Sequence, residues 1–361
     1  MSRNPDALMV EALQDGVFPG AQLLVSKGGE ILHHRAYGVA DLSSGRPVTE
    51  MTFFDLASLT KPLATTLAVM KLVERGRLKL SDTLGQVLPS LGRKGKGRIL
   101  LANLLCHDSG LPAHRPYYEI LNAFPLSERR ARLLRLLAAE SLIHPVGGGT
   151  VYSDLGFMAL ALAVEAAAGS GMDRFLEETV YGPLGIGGLH FPGRTGGLPG
   201  RAYAATESCP WRGRLLVGEV HDDNAAALGG VCGHAGLFGT ADDVHRLLVA
   251  LSAAERGAVA GAFDGAVVSR FLAPWGGGGR TLGFDMPAKV GSSCGHYFSK
   301  RTIGHLGYTG TSFWVDMERE IIVILLTNRV HPTRQNMGIR SFRPLLHDAV
   351  MAQILPKVQC R

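Results

Sequence analysis

Strand patterns at both ends of the chain, with a long helical stretch between them, constrain the fold more than any other feature. Near the N-terminus, residues 4–15 carry Ala7, Leu8, Val10 and Leu13 at helical spacing, and Gly16 and Pro19-Gly20 end that helix. A strand over 21–26, a Lys27-Gly28-Gly29-Glu30 turn and a returning strand over 31–38 make a hairpin. Towards the C-terminus the pattern predicts strands over 281–286, 302–307, 312–316 and the strongly apolar 321–327, closed by a helix over 342–354. Between these ends, 78–223 reads as mainly helical. An apolar run over 99–107 stops at Ser109-Gly110-Leu111-Pro112, and helices are expected over 127–139, 155–168 and 172–180. Residues 182–200 and 228–240 are glycine-rich, and a helix over 241–251 opens on Asp242 and Asp243, where acids suit the helix dipole. A helix followed by an antiparallel hairpin argues against a parallel nucleotide-binding sheet, and no glycine-rich phosphate loop is present. The economical fold is α+β: one sheet built from two distant segments, with a helical insert.

The chemistry is expected at Ser58-Leu59-Thr60-Lys61, at the start of a predicted helix running to Gly76. Leu59, Leu63, Leu67, Met70 and Val73 share one face of that helix, Pro62 falls in its first turn and Gly76 at its C-cap. A three-residue step places Ser58 and Lys61 on the same side, close enough to share a hydrogen bond. A serine hydroxyl needs such a neighbouring base to act as a nucleophile at neutral pH. The free N–H groups of a helix N-terminus would meet developing negative charge.

Composition excludes several classes. At 361 residues, 46% hydrophobic and 19% charged, the chain suits a soluble globular protein. Residues 1–20 lack the basic segment and apolar core of a secretory signal, and no apolar stretch reaches the length of a membrane span, so a cytoplasmic protein is expected. Cys106, Cys209, Cys232, Cys294 and Cys360 are widely spaced and odd in number, which suits free thiols. The net charge of +6 owes part to Arg93-Lys94-Gly95-Lys96-Gly97-Arg98 and Arg129-Arg130-Ala131-Arg132. Neither cluster is interleaved with aromatics, so they read as solvated faces and not as a nucleic-acid surface. His221, Asp222, Asp223, Cys232 and His234 match no metal-ligand spacing, and no metal or other cofactor is expected.

Several segments together resemble the serine β-lactamase and penicillin-binding protein superfamily, in particular its branch of class C-type lactamases, D-Ala-D-Ala carboxypeptidases and esterases. Phe54-Asp55-Leu56-Ala57-Ser58-Leu59-Thr60-Lys61-Pro62 resembles the nucleophile segment, and Gly76-Arg77-Leu78-Lys79-Leu80-Ser81-Asp82 the stretch after it. Residues 104–112, Leu-Leu-Cys-His-Asp-Ser-Gly-Leu-Pro, resemble a further family segment. Tyr152-Ser153-Asp154 stands at the Tyr-x-Asn motif, and His305-Leu306-Gly307 where the family carries Lys/His-x-Gly. A narrower resemblance, to a branch that includes muropeptide-recycling amidases, rests on 221–225, 229–238 and 326–332.

The resemblance implies a β-lactamase/transpeptidase-like fold: an antiparallel sheet flanked by helices, plus a mainly helical lobe. The whole of 1–361 would be one catalytic unit, with an α/β lobe from 1–75 and 228–361, a helical lobe over 76–227, and the active site between them. It further implies a Ser58 acyl-enzyme, with either Lys61 or Tyr152 taking the serine proton. The oxyanion would meet the backbone N–H groups of Ser58 and Tyr308, and Asp154, His305 and Gly307 would contact substrate. Two departures from the family pattern matter. Asp154 stands where many relatives have Asn; a carboxylate there favours charged Lys61 and so turns the expectation towards Tyr152 as the base. His305-Leu306 replaces Lys-Thr; Leu306 has no hydroxyl to hold a substrate carboxylate, whereas His305 can still be cationic near or below its pKa. Efficient β-lactam hydrolysis is therefore not expected as the main activity.

His107 reads as a buried hydrogen-bonded histidine, His221 and Asp223 as residues that fix a loop or line the cleft rim, and Arg329 as either an ion pair or a contact for an acidic substrate group. The leading expectation is a serine hydrolase acting on a small amide or ester, with a peptidoglycan-derived fragment as the expected substrate. Alternatives are a broad carboxylesterase, a penicillin-binding protein or weak β-lactamase, and an inactive binding module. The oligomeric state is left open.

Overall fold

The computed structural model describes residues 3–193, 197–258, 261–276 and 279–355. Helix α1 (Pro5–Gln14) leads into β1 (Gly20–Lys27), β2 (Glu30–Asp41) and β3 (Arg46–Pro47), and the short β4 (Phe54–Asp55) precedes Ser58. After the nucleophile segment come helices α2 (Leu67–Glu74), α3 (Leu84–Val87), α4 (Leu101–Leu105), α5 (Tyr117–Leu121), α6 (Leu126–Ala139), α7 (Asp154–Ala168) and α8 (Met172–Leu176). The hairpin β5 (Ala205–Cys209) and β6 (Arg214–Val217) follows, then α9 (Asp223–Ala227), β7 (Phe238–Gly239), α10 (Ala241–Glu255) and α11 (Gly265–Leu272). The chain closes with β8 (Thr302–Leu306), β9 (Ser312–Asp316), β10 (Ile321–Thr327) and α12 (Ile339–Ile354).

Among the described residues a six-stranded antiparallel sheet runs in the order β3-β2-β1-β10-β9-β8, so the two ends of the chain meet at its centre. There β1 and β10 pair from Ala21 with Thr327 to Lys27 with Ile321. Period-two alternation gives the central strands β1 and β10 two apolar faces. Leu24, Ile322, Ile324 and Leu326 join the core that holds Phe54, Leu56, Leu59 and Leu63, whereas Leu23, Val25, Ile321, Val323 and Leu325 pack with α1 and α12. The nucleophile segment and α12 therefore lie on opposite faces of one sheet.

Several expectations are corrected. Residues 58–76 are not one α-helix: Ala57–Leu59 is a 3₁₀ turn, Lys61–Thr66 a π turn, and only then does α2 begin. Such a π turn shifts side chains off the 3.6 period, a feature often found at functional sites. The strand expected over 281–286 makes only isolated bridges, Arg280 with Asp285 and Asp285 with Gly304, because the chain turns at Gly283 (φ +86°). The β5–β6 hairpin lies in a stretch read as helical; its strands are too short for their alternation to stand out. No single described helix is long and apolar enough to cross a membrane. The helices at 154–168 and 172–181 reach that length and apolarity together, but they meet at 69° and most of α7 is core. Cys106, Cys209, Cys232 and Cys294 are free and buried; Cys360 lies outside the described residues.

Candidate active site

The turn that presents Ser58 is held from inside. β4 pairs with β7, and the next residues bend sharply through Ala57, whose φ of +47° is uncommon for a residue with a side chain. The buried Asp55 carboxylate accepts the Ala57 N–H at 2.8 Å and the His221 N–H at 2.7 Å, which offsets the strain and pins the turn. Burial pushes the Asp55 carboxyl above its ordinary pKa. Thr60 extends the brace: its hydroxyl donates to Ala57 O at 2.6 Å and accepts the Leu237 N–H at 3.0 Å.

Lys61 is fully buried beside this turn. Its three ammonium hydrogens meet three acceptors: Ser58 Oγ at 3.2 Å, His234 O at 3.1 Å and Asp154 Oδ1 at 2.8 Å. The Tyr152 ring centroid is 4.7 Å from Nζ, so the Tyr152 phenol lies beside the Lys61–Ser58 pair. Burial works against the ammonium, but Asp154 and Tyr152 outweigh it and raise the Lys61 pKa above the ordinary lysine value. Burial also opposes the Asp154 charge, yet Lys61, His114 and His234 hold that carboxyl far below the usual carboxylate range. Burial pushes the Tyr152 phenol up, and Lys61 offsets this only in part. The resting site thus holds an ammonium, a carboxylate and a neutral phenol around the serine.

Behind Lys61, the His234 imidazole pairs with Asp222 at 2.8 Å. Although buried, it is held well above its ordinary pKa by that carboxylate, while Asp222 is lowered to about 2. His107 accepts the Ser153 N–H at 2.9 Å and lies against Tyr152 with ring centroids 4.5 Å apart, which fits a buried structural histidine. Capping of α7 falls to Ser153, whose hydroxyl accepts the Gly156 N–H, so Tyr152 is not needed as a cap.

On the other side of Ser58 the loop after β8 is tied to the nucleophile segment. Thr309 Oγ1 donates to Asp55 O at 2.7 Å and Thr311 Oγ1 to Leu56 O at 3.2 Å. A Cβ at Gly307 would lie 2.8 Å from Leu56 O, so glycine allows this close approach. Tyr308 has a half-exposed side chain stacked on His221, with ring centroids 5.7 Å apart. No partner for the Tyr308 N–H is found among the described residues.

Two charge expectations are corrected. His305 is buried, and burial, with Lys61 and Arg280 nearby, lowers its pKa to about 4, so it is neutral at neutral pH. Its Nδ1 bonds to Leu306 O at 2.9 Å, which leaves Nε2 as a bare lone pair without a partner among the described residues. Arg329 neither forms an ion pair among the described residues nor faces an open site. It is buried and donates to the carbonyls of Tyr308, Arg334 and Asn336.

The polar residues weighed as metal ligands are engaged elsewhere. His221 bonds Glu207 at 3.1 Å, and Asp223 accepts from Trp211 at 2.8 Å and Arg212 at 3.0 Å. The basic clusters serve local packing: Lys96 donates to Ala138 O and Glu140 O, and Arg130 pairs with Glu165 at 3.0 Å. Sequence reasoning missed three members of the site. Asp55 stood unassigned inside the nucleophile segment. Arg280, with its guanidinium carbon 5.7 Å from the Tyr152 ring centroid and paired with Asp285, carried no pattern at all. The His234 carbonyl is a backbone group that any residue could supply.

Comparisons with known proteins agree with this architecture. Residues 5–342 match the Beta-lactamase family. The chain is 31% identical over 347 residues to an Escherichia coli (strain K12) protein provisionally named D-alanyl-D-alanine carboxypeptidase, covering 87% of this chain and 79% of that one. It is 32% identical over 344 residues to the N-acetylmuramyl-L-alanine amidase of Bacillus subtilis (strain 168), covering 87% and 78%. Among solved structures, EstCE1, a hydrolase with promiscuous acyltransferase activity, superposes with a TM-score of 0.77 at 23% identity over 96% of this chain and 97% of its own. With the family matched over nearly its whole length, the chain belongs to the beta-lactamase family of hydrolases.

Proposed function

We propose that this protein is a serine hydrolase that cleaves a small amide or ester through a Ser58 acyl-enzyme, with a peptidoglycan-derived fragment as its substrate. The observation that carries the reading is the buried Lys61, whose hydrogens are shared among Ser58, Asp154 and the His234 carbonyl beside the Tyr152 phenol. Serine attack requires a proton acceptor, and the resting cluster has none free, because Lys61 and Tyr152 both hold their protons. The reactive form is the one in which the Lys61–Tyr152 pair has lost a proton. Whichever of the two oxygen-facing groups holds the vacancy, the pair takes the Ser58 proton as Oγ bonds to the carbonyl carbon, then returns it to the leaving nitrogen or oxygen. Water repeats the sequence in reverse to free the acid and restore Ser58. Backbone N–H groups of Ser58 and Tyr308 stabilise the tetrahedral oxyanion. The site lies between the α/β lobe and the helical lobe of one catalytic unit.

The substrate class rests on the two relatives, one named for D-alanyl-D-alanine and one for N-acetylmuramyl-L-alanine, and on Arg280 beside Tyr152, whose guanidinium is paired with Asp285 through one nitrogen and keeps further donors for an anionic fragment. A broad carboxylesterase is favoured by a different observation: neutral His305 and aliphatic Leu306 at the end of β8 provide no charge or hydroxyl for a substrate carboxylate. Intact-protein mass and product analysis with a muramyl peptide, p-nitrophenyl acetate and a penicillin separate these readings. Release from the muramyl peptide, lost in Ser58→Ala, is the expected result. Turnover of the ester alone supports the esterase, and no adduct or turnover with any of them overturns the enzyme reading.

A further inference from the structure

We propose that Arg343, reaching through from the far face of the sheet, is a positioning residue that aims and polarises the peptide group whose N–H stabilises the oxyanion. This rests on the Ser58 and Tyr308 roles proposed above. Arg343 lies in α12, whose Ile339, Phe342 and Leu346 pack with the sheet face opposite the nucleophile segment. Its side chain is buried, and Nη2 donates to Gly307 O at 3.2 Å and to Thr311 O at 2.7 Å. Gly307 O and the Tyr308 N–H belong to the same peptide group. That bond is trans, so its carbonyl and N–H point in opposite directions. A carbonyl held towards α12 therefore sends the N–H towards the side on which Leu56 and Ser58 lie.

The next carbonyl is held as well. Arg329 Nε donates to Tyr308 O at 2.8 Å, and its Nη2 donates to the same atom. Two buried guanidinium groups thus grip consecutive carbonyls of one loop, and neither has a carboxylate at ion-pair distance among the described residues. An arginine buried for stability alone would be expected beside an acid, since a buried charge without a counterion is costly. Here the uncompensated charge faces the oxygens of the peptides that flank the oxyanion position. A cationic donor on the carbonyl polarises the amide and strengthens its N–H as a donor, and Nη2, bridging Gly307 O and Thr311 O, adds to the Gly310 N–H on Gly307 O in keeping the peptide plane from rotating. Both effects matter most when negative charge develops in the transition state, so they act on rate more than on substrate affinity.

The test is nitrophenolate release from p-nitrophenyl acetate by wild type, Ser58→Ala, Arg343→Gln and Arg343→Lys, followed across pH, with thermal melting to confirm folding. In Arg343→Gln the acylation rate is expected to fall roughly ten- to a hundredfold, short of the ~10²–10³ for loss of a donor itself, with KM nearly unchanged. Arg343→Lys is expected to lose less, because an ammonium can still reach one of the two carbonyls. The loss should be uniform from pH 6 to 8, since the proton acceptor is untouched and Arg343 is charged throughout that range. If Arg343→Gln does not fold, a reduced rate in folded Arg343→Lys supports the clamp and a wild-type rate overturns it. A wild-type rate in Arg343→Gln, or a change confined to KM, also overturns it and leaves the Ser58 reading standing. Equal release by wild type and Ser58→Ala removes both.

Discussion

Lys61 and Arg343 are both buried cations, one on each side of the same sheet, and they are treated in opposite ways. Lys61 sits against a carboxylate, with Asp154 at 2.8 Å, whereas Arg343 has only backbone carbonyls, at 3.2 and 2.7 Å. The difference follows from what each side chain can do. A lysine loses its proton when desolvation is not offset, so Asp154 and Tyr152 are needed to set its charge state, and through it the proton inventory around Ser58. Burial and the nearby Arg329 lower the Arg343 pKa to about 9, which still leaves it charged at neutral pH, so it can serve as a fixed dipole-orienting cation where an unpaired lysine would neutralise. In the proposed mechanism one cation moves protons and the other holds a peptide still.

The largest expected effect comes from removing the titrating cation. Lys61→Met should lower kcat/KM by ~10²–10⁴ and leave the Asp154 carboxylate without its partner. A variant that keeps near-wild-type turnover would show that Lys61 is structural, and the contrast with Arg343 would collapse. Asp154→Asn sharpens the comparison through pH. Asp154 raises the pKa of both Lys61 and Tyr152, so the charged, proton-loaded form persists to higher pH while it is present. Removing it should move the acidic limb of the pH–rate profile to lower pH; an unmoved limb, or one moved upwards, would break the coupling. The same substitution leaves a buried ammonium unpaired and should destabilise the fold by up to about 3–5 kcal/mol, read from urea unfolding at neutral pH.

Smaller effects are expected from the remaining charges of the cleft. Arg280→Gln should raise KM for an anionic fragment by roughly tenfold and leave KM for p-nitrophenyl acetate unchanged, because only the former has a charge for Arg280 to meet. Equal effects on both substrates would place Arg280 outside the binding site. His305→Asn should change the rate little between pH 6 and 8, since burial already keeps that ring neutral there. Its signature is in stability. The folded pKa of about 4 lies below the ordinary histidine value of 6.5, so the unfolded chain binds the extra proton first as pH falls through that window. Wild type then loses on the order of 3 kcal/mol at most from this group between pH 6.5 and 4, and its advantage over His305→Asn should shrink accordingly. A constant difference in melting across that window would mean that His305 is charged in the fold.

Much of this molecule was legible as local pattern. The β1–β2 hairpin, β9 and β10 fall where alternation or continuous apolarity placed them, and so does the pairing of sheet segments from the two chain ends. The Ser58–Lys61 contact was implied by a three-residue step and survives the change from α-helix to 3₁₀ and π turns. Short strands such as β5 and β6, or a turn such as 281–286, offer too few residues for a period to register. The charge of His305 could not be read, because it depends on burial and on neighbours from other segments of the chain.

By itself, then, the sequence singled out Ser58, Lys61 and Tyr152 as candidate reactive residues and a sheet drawn from both ends of the chain, since hydroxyl, amine and phenol chemistry and side-chain periodicity are local properties. Tertiary structure decided how those groups are biased. The His234 carbonyl on Lys61, the Asp55 brace under Ala57, and Arg343 behind Gly307 join residues separated by 173, 2 and 36 positions. Even the shortest of these works only in a dry interior, where a carboxylate, a carbonyl or a guanidinium is strong because water is absent. Exclusion of water is a property of the packed fold and is written in no single segment of the chain.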